Sequence, residues 1–419
     1  MNKLEEARLG IRAVDKDIAA LFEKRMHLVS QIRDYKKEHG LPVLDKEREA
    51  ELLQAGLQEI SDPELRQYYP AFQRGLMAIS RKWQARGPWG DYDIKVGKNH
   101  LDRVGEYFDL RRKVMVISDK GVPVQYVQTV LAACREPHLL IVPEGERSKG
   151  LPWLERILGC MLENGFTRED AVIAVGGGMV GDLAGLAAAV YMRGVDWYDV
   201  PTTLLAQVDA SAGGKTAVNL EGAKNVVGAF HHPGGVLIDT DTLKSLSPRV
   251  FAEGLAELAK MAVTFDEPLF CKLEDAASRK DWNNIDSFIK EALRIKIRVV
   301  EQDPTEKDLR ASLNFGHTVG HAIEALGRGK YLHGEAVAIG MLYMASAPVR
   351  ERLEHLFTRI GLPLRDSFTV DELMAAASKD KKRLAAGFKT VKVDKVGSFR
   401  FEKVSEEGLR SIIQSFKQL

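Results

Sequence analysis

Residues 171–185 read AVIAVGGGMVGDLAG. A run of small and β-branched apolar residues ends in a glycine cluster, and a helix-compatible segment follows. Gly176, Gly178 and Gly181 fit the spacing G-x-G-x-x-G. Glycine clusters often serve tight turns only. Here the strand before and the helix after give the motif its phosphate-binding setting, with backbone amides and a helix N-terminus facing a pyrophosphate. The ribose-binding acid expected about 20 residues later is less clear, which argues against a plain Rossmann domain. The same texture extends outward. KVMVIS, HLLIVP and GVLIDT are apolar β-rich runs, and WLERILGCMLENG is helical in pattern. This alternation, from about residue 93 to 240, predicts a mostly parallel sheet flanked by helices. From about residue 245 helical patterns dominate. The run SKDKKR is short enough to be only a solvated loop.

The chain has 419 residues, a soft expectation of two or three domains. Hydrophobic residues make up 45% and charged residues 28%, enough for a folded core with a polar surface. The net charge of +1 gives no global attraction to nucleic acid or membrane, and neither is expected as a partner. Cys134, Cys160 and Cys271 are odd in number and far apart. They form no disulfide framework and no cysteine-based metal spacing. The N-terminus, MNKLEEARLG, is charged from the start, and no 18-residue apolar run occurs. A cytoplasmic protein is expected.

Residues 1–86 have a different texture. Ile11, Val14, Ile18, Leu21, Phe22, Met26, Leu28, Val29 and Ile32 recur at threes and fours, predicting one amphipathic helix from about 4 to 38. Gly40 and Pro42 end it. Further helices are expected over about 46–59 and 63–84, and ARGPWGDYD reads as a linker. A first helix of about 50 Å cannot be covered by two shorter ones, so an intertwined homodimer is expected. On periodicity alone this is a helical dimerisation module. Arg25 and Lys36, however, lie only about 20° apart around the helix, and Arg8 points about 100° away. Such cations are either solvated or converge across a dimer on a dianionic ligand.

LNFGHTVGH (residues 313–321) places His317 and His321 four apart, on one helix face. Thr318 follows His317, so the glutamate of the zinc-protease motif H-E-x-x-H is missing. Spacing alone leaves open whether one or both histidines bind metal.

ARLGIRAVDKDIAALFEKRMHLVSQIRDYK, LPVLDKERE and YYPAFQRGLMAISRKWQ resemble the all-helical chorismate mutase family over nearly all of residues 3–86. The resemblance implies a ligand set of Arg8 from the partner subunit, Arg25 and Arg48 on carboxylates, and Lys36 and Gln84 on the ether oxygen. Asp45 and Glu49 are implied at the substrate hydroxyl, and Ser80 at a carboxylate. A Claisen rearrangement needs no nucleophile. Donors that stabilise negative charge growing on the breaking ether oxygen, and cations that hold the reactive conformer, suffice.

DVPTTLLAQVDASAGGKTAVN, GAKNVVGAFHHP, PEGERSK, MRGVDW, GLAELAK, LNFGHTVGH and YLHGEAVAIGM resemble 3-dehydroquinate synthase across residues 93–419. The resemblance implies NAD contacts at Asp119, Glu146, Lys149, Gly176, Gly177, Gly178, Asp182, Thr202, Thr203, Asp209 and Lys224. It implies a metal, zinc or cobalt, on Glu257, His317 and His333, with positions left open for substrate oxygens. His321 is then not a ligand but a neighbour of the substrate phosphate. Asp209, Lys215, Asn225, Lys260, Lys296, Arg310, Asn314 and the pair Lys381–Lys382 are implied around the substrate carboxylate, hydroxyls and phosphate. Arg193 is implied as a donation from the neighbouring subunit. Two departures stand out. Gly121 replaces a frequent asparagine, so one ribose contact is expected to be missing. Met261 replaces an aromatic residue, with only a packing change expected. The implied chemistry oxidises and re-reduces a substrate alcohol within one turnover, with phosphate eliminated between. The net reaction is a lyase step.

The organisation expected is therefore multidomain. An all-α intertwined three-helix domain (1–88) and a linker (89–94) precede an α/β Rossmann-like NAD domain (95–243) and a mostly α-helical metal domain (244–419). Related sugar-phosphate cyclases and polyol dehydrogenases are rivals for the second part. They lack an expected need for Arg310, Asn314, His321 and the DKK lysines together. A regulatory sensor of chorismate or prephenate is the rival for the first.

Overall fold

The computed structural model describes residues 2–41, 43–85, 89, 93–303, 306, 308–378, 383–384 and 387–418. The chain divides into two compact units, residues 1–92 and 93–419. No helix among the described residues is long and apolar enough to cross a membrane.

The first unit is helical. Helix α1 runs Lys3–Glu38, α2 Lys46–Glu59, α3 Pro63–Arg66 and α4 Tyr69–Ala85. The Asn2 side chain caps α1 by accepting from the Glu5 amide, and Glu5 returns the bond to the Asn2 amide, a reciprocal capping box. Gly40 follows the helix in the left-handed region, at φ +64. The third helix differs from expectation: it breaks between α3 and α4. Pro70 explains the break, because it has no amide to give the Arg66 carbonyl and its ring would crowd that carbonyl. Among the described residues between 2 and 85, only Val29, Met77 and Ser80 are buried. Ile11 is 61% exposed and Leu21 65%, so the apolar stripe of α1 is largely uncovered within one chain.

The second unit begins with β1 (Ile94–Gly97), α5 (Val104–Tyr107), β2 (Lys113–Asp119), α6 (Val124–Ala133), β3 (Glu136–Val142) and α7 (Leu151–Glu163). It continues with β4 (Ala171–Gly176), α8 (Gly178–Val190), β5 (Asp196–Pro201), a hairpin of β6 (Lys215–Leu220) and β7 (Ala223–Phe230), and β8 (Gly235–Asp239). Six strands form a parallel sheet in the order β1-β8-β5-β4-β2-β3. The apolar run AVIAVG is the central strand β4, buried throughout. From β2 the chain steps to one edge, and from β4 it steps toward the other. The C-terminal ends of β2 and β4 therefore flank the point where a ligand crevice opens. Asp119 ends β2, Gly176 ends β4, and Ser118 Oγ donates to the Val175 carbonyl at 2.8 Å between them. Glu221 and Gly222, at φ +48 and +80, make the two-residue turn of the β6–β7 hairpin.

The remainder is mostly helical: α9 (Pro248–Phe265), α10 (Glu267–Arg279), α11 (Ile285–Gln302), α12 (His317–Gly327), α13 (His333–Met344), α14 (Ala347–Ile360), α15 (Val370–Ala377) and α16 (Glu406–Lys417). A small sheet, β11-β10-β9, interrupts it. It comprises β9 (Arg383–Leu384), β10 (Gly387–Lys395) and β11 (Ser398–Val404), an addition to the expected helices. Every residue of α13 from Gly334 to Met344 is buried. It crosses α12 with no side chain between the backbones. A Cβ on Gly340 would overlap the Gly316 carbonyl oxygen, and one on Gly320 would lie 3.0 Å from that of Ala336.

Alanine has the higher helix propensity, by about 1 kcal/mol, so the crossing can be tested against it. Gly340→Ala is expected to lower the unfolding free energy of the second unit by about 1–3 kcal/mol through overpacking. Gly159→Ala, in α7 with nothing within 4 Å of the new Cβ, is expected to be neutral or stabilising. Equal urea midpoints for the two variants would refute the account.

Candidate functional site

The helix crossing sets the two histidines side by side. His317 opens α12, His333 opens α13, and their ring centroids are 5.4 Å apart. Glu257 reaches them from the middle of α9 and is 1% exposed. Its Oε1 lies 3.9 Å from Nε2 of His317 and 3.6 Å from Nε2 of His333. The three ligating atoms fall within 4.8 Å of one another. A tetrahedral ion with bonds of about 2.0–2.2 Å spaces its ligands by about 3.4 Å, so the gap fits a metal better than it fits direct hydrogen bonds. Both Glu257 carboxylate oxygens are buried without a hydrogen bond. Lys260 lies against Oε2 as an ion pair, but out of hydrogen-bond alignment. Burial opposes the Glu257 charge, but the Lys260 ammonium and His333 together outweigh it and hold the carboxyl below its usual range. An ionised carboxylate with unused lone pairs and two imidazoles form a donor set suited to a divalent cation.

The outer nitrogens are also held. Nδ1 of His317 lies 3.1 Å from the Phe315 carbonyl, and Nδ1 of His333 lies 3.3 Å from Glu324 Oε2. With the proton on Nδ1 in each ring, Nε2 is turned toward Glu257. His321 is a neighbour of this group rather than a member. Its ring centroid is 5.2 Å from that of His317 and 6.1 Å from that of His333.

A cluster of cations adjoins the triad. Lys260 and Lys296 are 2% and 6% exposed. Lys296 Nζ pairs with Asp209 Oδ1 at 2.8 Å and also donates to the Asp209 carbonyl. Burial works against the Asp209 charge, but Lys296 and Lys260 overcome it and hold the carboxyl far below its usual range. Burial also lowers the pKa of Lys296 itself. Arg310 donates to the Gly213 carbonyl at 3.3 Å, where φ of +112 and the nearby guanidinium leave no room for a side chain. Glu306, which the sequence reasoning missed, stands among these groups. It pairs with Lys215 and accepts from Asn314 Nδ2 at 2.7 Å. Lys381 and Lys382 lie outside the described residues.

On the glycine-rich side, Gly177 precedes α8 and Gly178 opens it. A Cβ on Gly177 would lie 3.2 Å from Thr203 Cγ2, and one on Gly178 would lie 3.0 Å from Ala210 Cβ, so the turn is packed as closely as its backbone permits. The Thr202 amide donates to the Gly176 carbonyl at 2.8 Å. Lys149 Nζ donates to Asn225 Oδ1 at 2.6 Å and pairs with Asp182 Oδ2 at 2.5 Å. Asn219, also missed, donates to Glu146 at 2.8 Å and accepts from the Asn225 amide at 2.9 Å. Asp119 Oδ1 accepts from the Gly121 amide at 2.7 Å. The side chain absent at Gly121 leaves space that Glu144 fills, since a Cβ there would lie 2.9 Å from Glu144 Cδ. The helix N-terminus, the glycine turn and the surrounding polar groups form a cradle that suits a dinucleotide. Lys224 pairs with Glu324 Oε1 at 2.7 Å. Arg193 is exposed, on a turn where Met192, Arg193 and Gly194 all have positive φ.

In the helical unit, Arg25 donates to Ser80 Oγ, and Lys36 Nζ donates to the Val43 carbonyl at 2.8 Å. Asp45 caps α2 through the Arg48 amide at 3.0 Å, and the Arg48 guanidinium turns to Glu51 at 2.9 Å. Glu49 is held by Arg81 at 2.5 Å, a partner that sequence reasoning missed. Gln84 Oε1 is buried without a hydrogen bond. Arg8 is exposed, about 25 Å along α1 from Arg25; one chain does not bring it to the others.

Family comparison resolves the two units. The model for 3-dehydroquinate synthase N-terminal matches residues 139–253, and that for its C-terminal part matches residues 254–383. The 3-dehydroquinate synthase of Thermodesulfovibrio yellowstonii is 39% identical over 345 residues, covering 77% of this chain and 96% of that one. That of Enterococcus faecalis is 38% identical over 345 residues, covering 78% and 96%.

The chain belongs to the 3-dehydroquinate synthase family.

Its first unit carries a chorismate mutase type II domain, matched over residues 7–85. Among solved structures, a 2-deoxy-scyllo-inosose synthase complexed with carbaglucose-6-phosphate, NAD+ and Co2+ is similar with a TM-score of 0.70 at 27% identity. The match covers 77% of this chain and 96% of that one. A 2-epi-5-epi-valiolone synthase from Streptomyces hygroscopicus with NAD+ and Zn2+ bound has a TM-score of 0.72 at 26% identity, covering 78% and 97%. A probable glycerol dehydrogenase from Sinorhizobium meliloti shares the fold alone, at 15% identity and a TM-score of 0.53 over 78% of this chain and 96% of that one.

The geometry groups Glu257 with His317 and His333 and leaves His321 beside them. His333→Ala and Glu257→Gln are expected to lose bound metal on gel filtration, and His321→Ala to retain it. Elemental analysis of the eluted protein decides; metal loss from the His321 variant equal to that of the other two would overturn the assignment.

Proposed function

We propose that the chain is a bifunctional enzyme of aromatic biosynthesis. Residues 93–419 convert 3-deoxy-D-arabino-heptulosonate 7-phosphate to 3-dehydroquinate and phosphate, with NAD and zinc or cobalt as resident cofactors. Residues 1–92 convert chorismate to prephenate. The observation that carries the first assignment is the Glu257–His317–His333 cluster beside the buried lysines, in a chain 39% identical to a curated synthase.

Bound at these sites, the metal would supply Lewis acidity at a substrate hydroxyl and NAD a reversible oxidation of that carbon. The protein's own residues do the rest. Glu257, His317 and His333 hold the metal. The cradle from Gly176 to Gly178, with Asp119, Glu146, Lys149, Asp182, Thr202, Thr203 and Lys224, seats the dinucleotide. Lys215, Asn225, Lys260, Lys296, Arg310 and Asn314 orient a ligand carrying both a carboxylate and a phosphate, through charge-assisted hydrogen bonds. Asp209 fixes Lys296 at the edge of the site. His321, beside the metal ligands, takes or gives a proton at the phosphate. Lys381 or Lys382 and the partner subunit's Arg193 complete the anion contacts.

The mutase site is completed by a second copy of the chain. The uncovered apolar stripe of α1 favours a homodimer, and Arg8 then reaches the partner's Arg25, Lys36, Arg48, Ser80 and Gln84. Arg25 and Arg48 hold the substrate carboxylates, Lys36 and Gln84 meet the charge developing on the ether oxygen, and Asp45 and Glu49 address the hydroxyl.

Assays of both reactions on one preparation test the proposal. Chelation by dipicolinate is expected to abolish synthase turnover, with zinc or cobalt restoring it, while leaving mutase turnover unchanged. Arg25→Ala is expected to cost the mutase about 10²–10³-fold in kcat and leave the synthase unchanged. Light scattering should give a dimer. Chorismate binding without turnover would recast residues 1–92 as a regulatory module, and a chelator-insensitive synthase would overturn the metal assignment.

A further inference from the structure

Glu324 has no part in the scheme above, yet it lies between its two cofactor sites. It follows His317 by seven residues on α12, which returns it to nearly the same helical face two turns on. There it meets two elements from different parts of the fold. Oε2 lies 3.3 Å from Nδ1 of His333, at the start of α13. Oε1 accepts from Nζ of Lys224 at 2.7 Å, two residues past the hairpin turn at Glu221–Gly222. The Glu324 side chain is 14% exposed. Each of its carboxylate oxygens thus serves one partner.

We propose that Glu324 is a positioning residue that couples metal binding to NAD binding. The inference rests on the reading above, in which His333 is a metal ligand and Lys224 an NAD contact. A proton held on His333 Nδ1 by Glu324 leaves Nε2 as a lone-pair donor aimed at Glu257 and the metal. A cation held at Nε2 would polarise the imidazole and draw the Glu324 carboxylate toward the ring. The hold of the other oxygen on Lys224 weakens in step, and the ammonium is released toward the dinucleotide. Metal binding thus tightens NAD binding. By linkage NAD tightens metal by the same factor. The β6–β7 hairpin and the metal helices communicate through one side chain, with no requirement for a larger rearrangement.

The test measures two affinities on the full-length chain and a spectrum. NAD titrations of the metal-free and zinc-loaded protein, by calorimetry, are expected to differ by about 5-fold or more in Kd for the natural sequence. In Glu324→Gln that ratio should fall to near one. Zinc affinity, read by competition with a chromogenic chelator, should fall by about 10–100-fold, and the visible spectrum of the cobalt-loaded protein should shift. Lys224→Met keeps the His333 contact and is expected to keep the zinc affinity while losing the ratio. It also carries the test if the glutamine variant does not fold. A purely structural role would lower the melting temperature and leave the ratio intact. That outcome, or a ratio of one in the natural sequence, overturns the coupling while leaving the two cofactor sites standing. A natural chain that bound neither NAD nor zinc would overturn the sites as well.

Discussion

The synthase half depends on the contact between α12 and α13, where Gly316 and Gly320 face Gly340 with no side chain between. Two helices that approach this closely lock the register of their first residues. His317 and His333 are those residues. A helix start is also where backbone amides lack internal partners, so both imidazoles hang from segments anchored by the rest of their helices. Because α13 is buried on every side, His333 cannot move without disturbing the core around it. Glu257, on a third buried helix, closes the triangle.

Around that triangle the protein buries charge on a scale that an apolar core would not tolerate. Lys260 against Glu257, Lys296 against Asp209, and Lys149 against Asp182 each set an ammonium on a carboxylate within or beside the site. Desolvating such ions costs several kcal/mol each, and pairing at close range offsets much of it. These pairs hold their partners in fixed geometry before any ligand arrives, which is what preorganised electrostatic stabilisation requires. At Glu257 the ion pair with Lys260 is not completed by hydrogen bonds, which both carboxylate oxygens lack. The place where the pairing is incomplete is the place suited to a cation.

Much of this was legible in the sequence because it is local. The apolar run 171–175 and the glycines after it identify strand, turn and helix in one stretch, and the structure realises them as β4 and α8. The periodic apolar residues of α1 fix its length nearly to the residue. The break between α3 and α4 was also local, at Pro70, but the surrounding helical pattern masked it. The strands β10 and β11 were overlooked because alternating Val, Thr, Phe and Lys is a weak signal after a long helical region. Glu306 and Asn219 left no signal at all. Their long-range partners lie 91 residues away at Lys215 and 73 residues away at Glu146, and no periodicity reports such a pairing. Glu324 is intermediate: its spacing from His317 puts it on the histidine face, but only the folded chain shows which groups meet there.

Glu306 changes the character of the cation cluster. A pocket lined by lysine, arginine and asparagine with nothing between them would take up any small anion in solution. With a carboxylate of its own already seated on Lys215 and Asn314, the pocket is in part satisfied. An incoming phosphate or carboxylate must then outcompete a tethered anion, which acts at a high local concentration without diffusing away. A monoanion gains little from that exchange. A ligand bearing a phosphate and a carboxylate at a fixed separation engages several cations at once and wins it. On the proposed function, the internal acid would work as a filter, setting the least charge and reach that a ligand must have before the site accepts it.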